Sequence, residues 1–446
     1  MGESLNRRIA HLLGRACARD NEVPRSMIQR IPVLLRQDPN FVKYCTPKMI
    51  SFGPIHHGEE NLKLGEEFKH LWASLYIETF SKQVRVSTEQ GAKLKHNIIV
   101  AEIKQLRNMF SKDVIGSYND DELSWLLLVD GCALLYFLDN VDDQHPEALN
   151  LKLDQLMYTW RDILLLENQL PLTLLMLLSD EKTVYHLENI LYNFVFMGLF
   201  KGIEGSVINR NGAKPVHLLD YVRTFYTFRD EYIISMDPPL QEEGRWHRYK
   251  NIRDLRNAGI HVKLNKREEW KWNSVSFTSN LFSGELKLPM MIVNDVTPYF
   301  YHNLIAFEMC PDFRNNFEFC SYFFLMDSLI DEAEDVKELR LAGVLQNLLG
   351  SDKEVAKLFN ELGHELPAKM CNYMIRTNVV AYSKGYIQVK HQINEHYQKK
   401  WKTWLAEGRS TYFSTPWSFI AFLAAVAALL LTSIQAWYAV HPKISN

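Results

Sequence analysis

The stretch RDILLLENQLPLTLLMLLSD, Arg161–Asp180, decides how this chain folds. Leucines dominate it, and three polar residues, Glu167, Asn168 and Gln169, stand in the middle. Three readings compete: a catalytic cluster, an interrupted membrane span, and a junction between two buried helices. A carboxylate near the centre of a bilayer is costly, so Glu167 argues against a span. Pro171 has no amide hydrogen to donate and biases Leu170 away from helical geometry. The spacing therefore predicts one leucine-rich helix ending near Glu167–Asn168 and a second beginning at or just after Leu170. Such a junction leaves amides and carbonyls without helical partners. Asn168 and Gln169 each donate and accept, and Glu167 accepts, so the triplet is read as structural, ahead of a catalytic carboxylate.

Outward from this junction the pattern stays mostly helical. Residues 66–82, 97–111 and 120–140 carry apolar side chains at three- and four-residue spacings, the last opening on an acidic first turn. NILYNFVFMGLF (189–200) and HLLDYVRTFY (217–226) continue the theme around the turn-rich GIEGSVINRNGAKP, and DPPLQEEGRWHRYKN (237–251) reads as a second linker. From Gly259 the period changes. IHVKLNK, SVSFTS and GELKLPMMIV alternate apolar and polar residues between Ser, Asn and Gly breaks, which predicts a small antiparallel β meander. Helices resume over 299–310, 320–343 and 351–366, where Ser351 and Glu354 have the spacing of a capping box.

The C-terminal region differs in kind. From Ser410 to Val440 no residue carries a formal charge. Its apolar heart fits the roughly 20 residues that cross a hydrocarbon layer of roughly 30 Å as a helix. Trp417 at one end and Trp437 with Tyr438 at the other suit the two membrane interfaces. The expectation is a single transmembrane helix over 416–438 and a short tail, 439–446. Lys399, Lys400, Lys402 and Arg409 precede the span and only Lys443 follows it, which predicts a cytosolic body on a C-terminal anchor. Whether the membrane is the plasma membrane or an internal one is left open. The N-terminal segment, 1–23, reads as flexible and basic, with no apolar run of signal-peptide length. Residues 24–408 form the mainly helical domain.

Composition narrows the function classes. A formal net charge of -3 gives no basic footprint for nucleic acid. The six cysteines, Cys17, Cys45, Cys132, Cys310, Cys320 and Cys371, are scattered singly, as in a reduced core rather than a disulfide frame or zinc site. No phosphate-binding loop, dinucleotide fingerprint, nucleophile elbow or H-E-x-x-H is present. His56 and His57 precede Gly58 and two glutamates, but no third metal ligand is placed by spacing, so loop ordering is the preferred role. His391 and His396 are five apart, off the helical spacing that aligns two ligands. Asp327, Asp331, Glu332, Glu334 and Asp335 read as a solvated helix face. No catalytic residue, metal site or cofactor is predicted.

Several short motifs follow one another along the chain. They include Ile31-Pro32 with Leu35-Arg36, SFGPIHHG (51–58), DGCALL from Asp130, DILLLENQLP (162–171) and HLLD (217–220). NAGI, GELKLP, NLIAFE with Cys310, FLMDSLI, LLGSDKEVAKLFN and the PW entering the terminal span complete the series. Together they resemble a plant family, domain of unknown function 247, also called uncharacterised protein family 0481, over about Pro24 to Val440. Phe52, Asp254, Asn257 and Met309 depart from the residues common at those positions. The resemblance implies a mainly α-helical domain held by one C-terminal transmembrane helix, with no established catalytic residues to carry over. It further implies recognition or signalling, since some members are implicated in grass self-incompatibility. The function expected is thus a membrane-anchored protein acting through protein partners, in reproduction or defence. The alternative is a membrane-associated enzyme with a site near Glu167, His56 and His57.

Overall fold

Capping side chains start several of the helices in the computed structural model. It describes residues 26–141, 146–179, 215–227, 251–266, 271–272, 274–280, 283–313, 317–364, 383–398 and 416–440, with residues 9 and 191 singly. Asp38 accepts from Asn40 N at 2.7 Å and, with proline at the first position, starts α1 (Pro39–Cys45). A long irregular loop leads to α2 (Lys63–Val84), which ends as Arg85 turns left-handed at φ 59°. Ser87 and Gln90 form a capping box that opens α3 (Thr88–Arg107). After the single turn of α4 (Lys112–Ile115), Asn119 and Glu122 form another at the start of α5 (Asp120–Asn140). α2 lies along α5, α3 packs on both, and the later α7 closes against α3 and α5. Being central, α5 is buried on nearly every side from Leu123 to Leu138, with Trp125 the conspicuous exception.

The opening stretch sits where this bundle meets the rest of the domain. Its first helix, α6 (Leu153–Ile163), stops four residues ahead of Glu167, earlier than proline alone predicts, and α7 (Leu172–Leu178) begins directly after Pro171. The Asn168 and Gln169 amides reach back to the carbonyls of Asp162, Ile163 and Leu165, and so terminate α6 ahead of the proline. The next helix with described bounds is α8 (Leu218–Thr227).

Beyond α8, α9 (Ile252–Asn257) leads into β1 (Ile260–Leu264), β2 (Ser276–Ser279), β3 (Gly284–Leu288) and β4 (Met291–Val293). The expected strands are present, but they do not form an antiparallel meander. β3 is central, antiparallel to β2 and parallel to β1, while β4 pairs in parallel with β5 (Leu345–Asn347). Pro289 interrupts the run between β3 and β4, since it cannot donate to a ladder, and β4 is freed for another partner. The helices described after β4 include α10 (Thr297–Glu308), α11 (Glu318–Leu329), α12 (Ala333–Leu341), α13 (Asp352–His364) and α14 (Lys384–Gln398). At the centre of this half, the Trp272 ring meets Tyr226, Phe300, Tyr301, Phe319, Tyr322 and Phe323 at centroid distances of 4.8–6.3 Å.

The run 320–343 is two helices. Asp335 is buried and accepts from Asp331 N and Glu332 N while pairing with Arg253, so this part of the acidic run is a buried cap and not a solvated face. Cys45, Cys132, Cys310 and Cys320 are free and buried, and burial raises the Cys132 thiol to about 12. His396 bonds Ser279 and Ala258, whereas His391 faces Glu395, so the two do not converge. The last described element is α15 (Pro416–Val440), whose segment Ile420–Trp437 is long and apolar enough to cross a membrane and is not buried by the rest of the chain. Trp437 is exposed; the side chains of Trp417 and Tyr438 lie outside the described residues. So do the expected helix 189–200 apart from Leu191, the linkers 202–214 and 237–250, segment 1–23 apart from residue 9, the tail 441–446, Cys17 and Cys371.

Candidate functional site

Residues 48–58 run through the protein without regular structure, yet much of this segment is buried. Buried amides outside helices and sheets must find other acceptors. Here side chains supply them. Asp162 Oδ2 accepts from three successive amides, Lys48 at 2.9 Å, Met49 at 2.6 Å and Ile50 at 3.1 Å. Asn168 Oδ1 takes Phe52 N at 2.6 Å, and Asp130 Oδ2 takes Gly53 N at 2.7 Å. Asn168 Nδ2 returns a bond to the Ile50 carbonyl at 3.0 Å. Five amides of the loop are thus held by α5, the end of α6 and the polar triplet.

Each member of the triplet has its own task. Glu167 Oε1 accepts from Ile31 N at 2.7 Å, tying in the Ile31-Pro32 segment. Gln169 Oε1 accepts from Leu219 N at 3.0 Å at the start of α8, while its amide bonds the Ile163 and Leu165 carbonyls. Leu166 N, immediately before the triplet, donates to Asn303 Oδ1 at 2.7 Å, and Asn303 also bonds the Tyr44 carbonyl, which brings in α10 and α1.

His56 sits between two carboxylates. Its Nδ1 bonds Glu59 Oε1 at 2.7 Å and its Nε2 lies 3.2 Å from Glu167 Oε2, a contact that is ionic rather than an aligned hydrogen bond. Burial alone would lower the imidazole pKa; contact with Glu167 and Glu59 outweighs it and raises the value. Burial likewise works against the Glu167 charge, but His56 and the Ile31 amide hold its carboxyl below the ordinary range. Deeper in, Lys69 Nζ is fully buried between Asp130 Oδ1 at 2.7 Å and Glu66 Oε1 at 2.8 Å, and the Ser51 hydroxyl also donates to Glu66. Asp130 is raised by burial, against the pull of Lys69.

His57, next to His56, faces a different space. It helps line an open cleft of about 430 Å³ on the outer side of this loop. α2 contributes Glu66 and His70, four residues apart; Ser117 and Tyr118 come from the turn before α5. α5 contributes Glu122, Trp125, Leu126, Val129 and Asp130, which share one helical face. Its floor, Asp130, is the residue that holds Gly53. Tyr118 donates to the Pro54 carbonyl at 3.3 Å, and burial first, then Asp130, raises its phenol.

Of the residues singled out by sequence, Glu167, Asn168, Gln169 and His56 come together behind the loop, and His57 stands apart in the cleft. No described trio of His, Cys, Asp or Glu could hold a metal ion. Sequence reasoning missed Asp130, Lys69, Asp162 and the cleft walls. Asp130 had a signal, a lone carboxylate inside an otherwise apolar helix.

The family model for DUF247, described as plant protein of unknown function, matches residues 28–431. A UPF0481 protein of Arabidopsis thaliana is 26% identical over 433 residues, covering 91% of this chain and 84% of that protein. A putative UPF0481 protein of the same plant is 30% identical over 212 residues, 47% of this chain and 36% of its own length. No solved structure matches.

Proposed function

The chain belongs to DUF247, a family of plant proteins of unknown function, and from that membership we propose that it is a membrane-anchored recognition or signalling protein. It acts through protein partners, in self-incompatibility or another reproductive or defence process, and binds rather than transforms what it meets. The observation that carries this reading is α15, a helix that leaves Leu429, Leu430, Leu431 and Ile434 exposed on a stretch without charges. Such a surface calls for lipid or a partner helix. The basic residues ahead of the helix orient the body toward the cytosol.

The alternative, a membrane-associated enzyme near Glu167, His56 and His57, draws on the His56–Glu167 pair as an acid and base. Two features weigh against it: Glu167 is engaged through both oxygens, and His57 faces the cleft with other residues. Protease protection in intact protoplasts, with a tag ahead of Met1, tests the orientation. Protection of the tag is expected; its digestion places the body outside the cell and overturns the cytosolic arrangement.

A further inference from the structure

The cleft has a sign. Glu66, Glu122 and Asp130 bring three carboxylates to it, and no lysine or arginine is among its lining residues. The nearby cation, Lys69, is fully buried behind Asp130 and Glu66 and compensates the deeper of these charges. Glu122 is exposed at the rim, with Oε2 accepting from Asn119 N at 3.0 Å. An anionic group entering here would meet three carboxylates, whereas a cation would meet a site already negative.

A second feature is independent of the carboxylates. Trp125 stands 58% exposed on a helix whose other apolar side chains are almost all buried, one turn from Glu122 and on the cleft wall. An exposed indole beside carboxylates is the arrangement that attracts a guanidinium or ammonium, through the ring face and the charge together. The volume, about 430 Å³, is at the small end of ligand sites and suits one long side chain.

We propose that the cleft between α2 and α5 binds the cationic side chain, arginine or lysine, of a protein partner. The inference rests on the reading of the chain as a protein-binding module and names the chemistry of its contact. The cationic group is the recognised feature, and a free polyamine is the competing source of the same chemistry.

The test uses the full chain in lipid nanodiscs at low salt, titrated calorimetrically with acetyl-Gly-Arg-Gly-amide. The citrulline counterpart, a neutral isostere, and spermidine are run alongside. The arginine peptide is expected to bind, with the citrulline peptide at least about tenfold weaker. Glu122→Gln, which keeps the capping geometry, and Trp125→Ala should each weaken the arginine peptide by about tenfold. Thermal unfolding of each variant verifies that the fold survives. Equal binding of the two peptides, no binding of the arginine peptide, or binding unchanged in both variants overturns the proposal. Tighter binding of spermidine than of the arginine peptide assigns the cleft to a polyamine and overturns the protein source. Membrane retention is read on the same preparations before solubilisation. A retained protein that ignores the arginine peptide sinks this inference alone, and an unretained protein that binds it sinks the anchor alone.

Discussion

Glu167 Oε2 lies 3.2 Å from His56 Nε2, and this contact adds a pair of ionisable groups to the bonds that join the helix junction of the leucine-rich stretch to the loop bordering the cleft. Both groups are buried, and each favours the charged form of the other. The signs differ in their pH dependence. The His56 pKa is raised in the folded state, so its contribution is complete below the ordinary value of 6.5 and is lost as pH rises through the folded value. The Glu167 pKa is lowered, so its contribution is complete above the ordinary 4.5 and is lost as pH falls through the folded value. Unfolding measured across pH should therefore show a loss of stability on the alkaline side that His56→Gln removes. An unchanged alkaline limb in that variant contradicts the assignment.

Asn168 makes three bonds across the junction, accepting from Phe52 and donating to Ile50 and Asp162. Asn168→Ala strands one amide and two carbonyls and should cost about 3 kcal/mol. Asn168→Asp keeps the acceptor but sets a carboxylate against both carbonyls, and should be at least as destabilising. Denaturant unfolding of the two variants decides: an aspartate close to wild type would mean the donor bonds are dispensable.

The Lys69–Asp130 pair lies beneath the cleft at 2.7 Å. Lys69→Met leaves a buried carboxylate without its partner, at a cost of about 3 kcal/mol or more. Adding Asp130→Asn, which still accepts from Gly53, should restore much of that loss. A double-mutant cycle with no coupling contradicts this picture.

Gly53 holds φ at +76°, and a Cβ there would sit 2.7 Å from the Gln169 carbonyl oxygen. Gly53→Ala therefore meets both left-handed strain and a backbone contact, and should lose about 2 kcal/mol or more. A variant within error of wild type in thermal unfolding would show that the loop can move off the junction.

Some of this was legible in the residues and some was not, for physical reasons. Helical periodicity placed the bundle, and Pro171 with Glu167 marked a break in a leucine-rich run. Proline removes its own amide donor and restricts the residue before it, effects local to Leu170–Pro171, whereas α6 ends at Ile163, where amide side chains further on reach back to its carbonyls. Alternation marked the strands near Gly259, but their pairing depends on how the chain returns, and β3 came to lie between β1 and β2. The cleft left almost no trace. Glu66, Glu122 and Trp125 read as ordinary helix residues, and only the meeting of α2 with α5 brings them together.

The most direct measurement is alkaline carbonate extraction of membranes from plant cells expressing either the full chain or a chain stopped before Pro416. The full chain should stay in the membrane pellet and the shortened one should appear in the supernatant. Release of the full chain by carbonate, or retention of both, contradicts anchoring by α15.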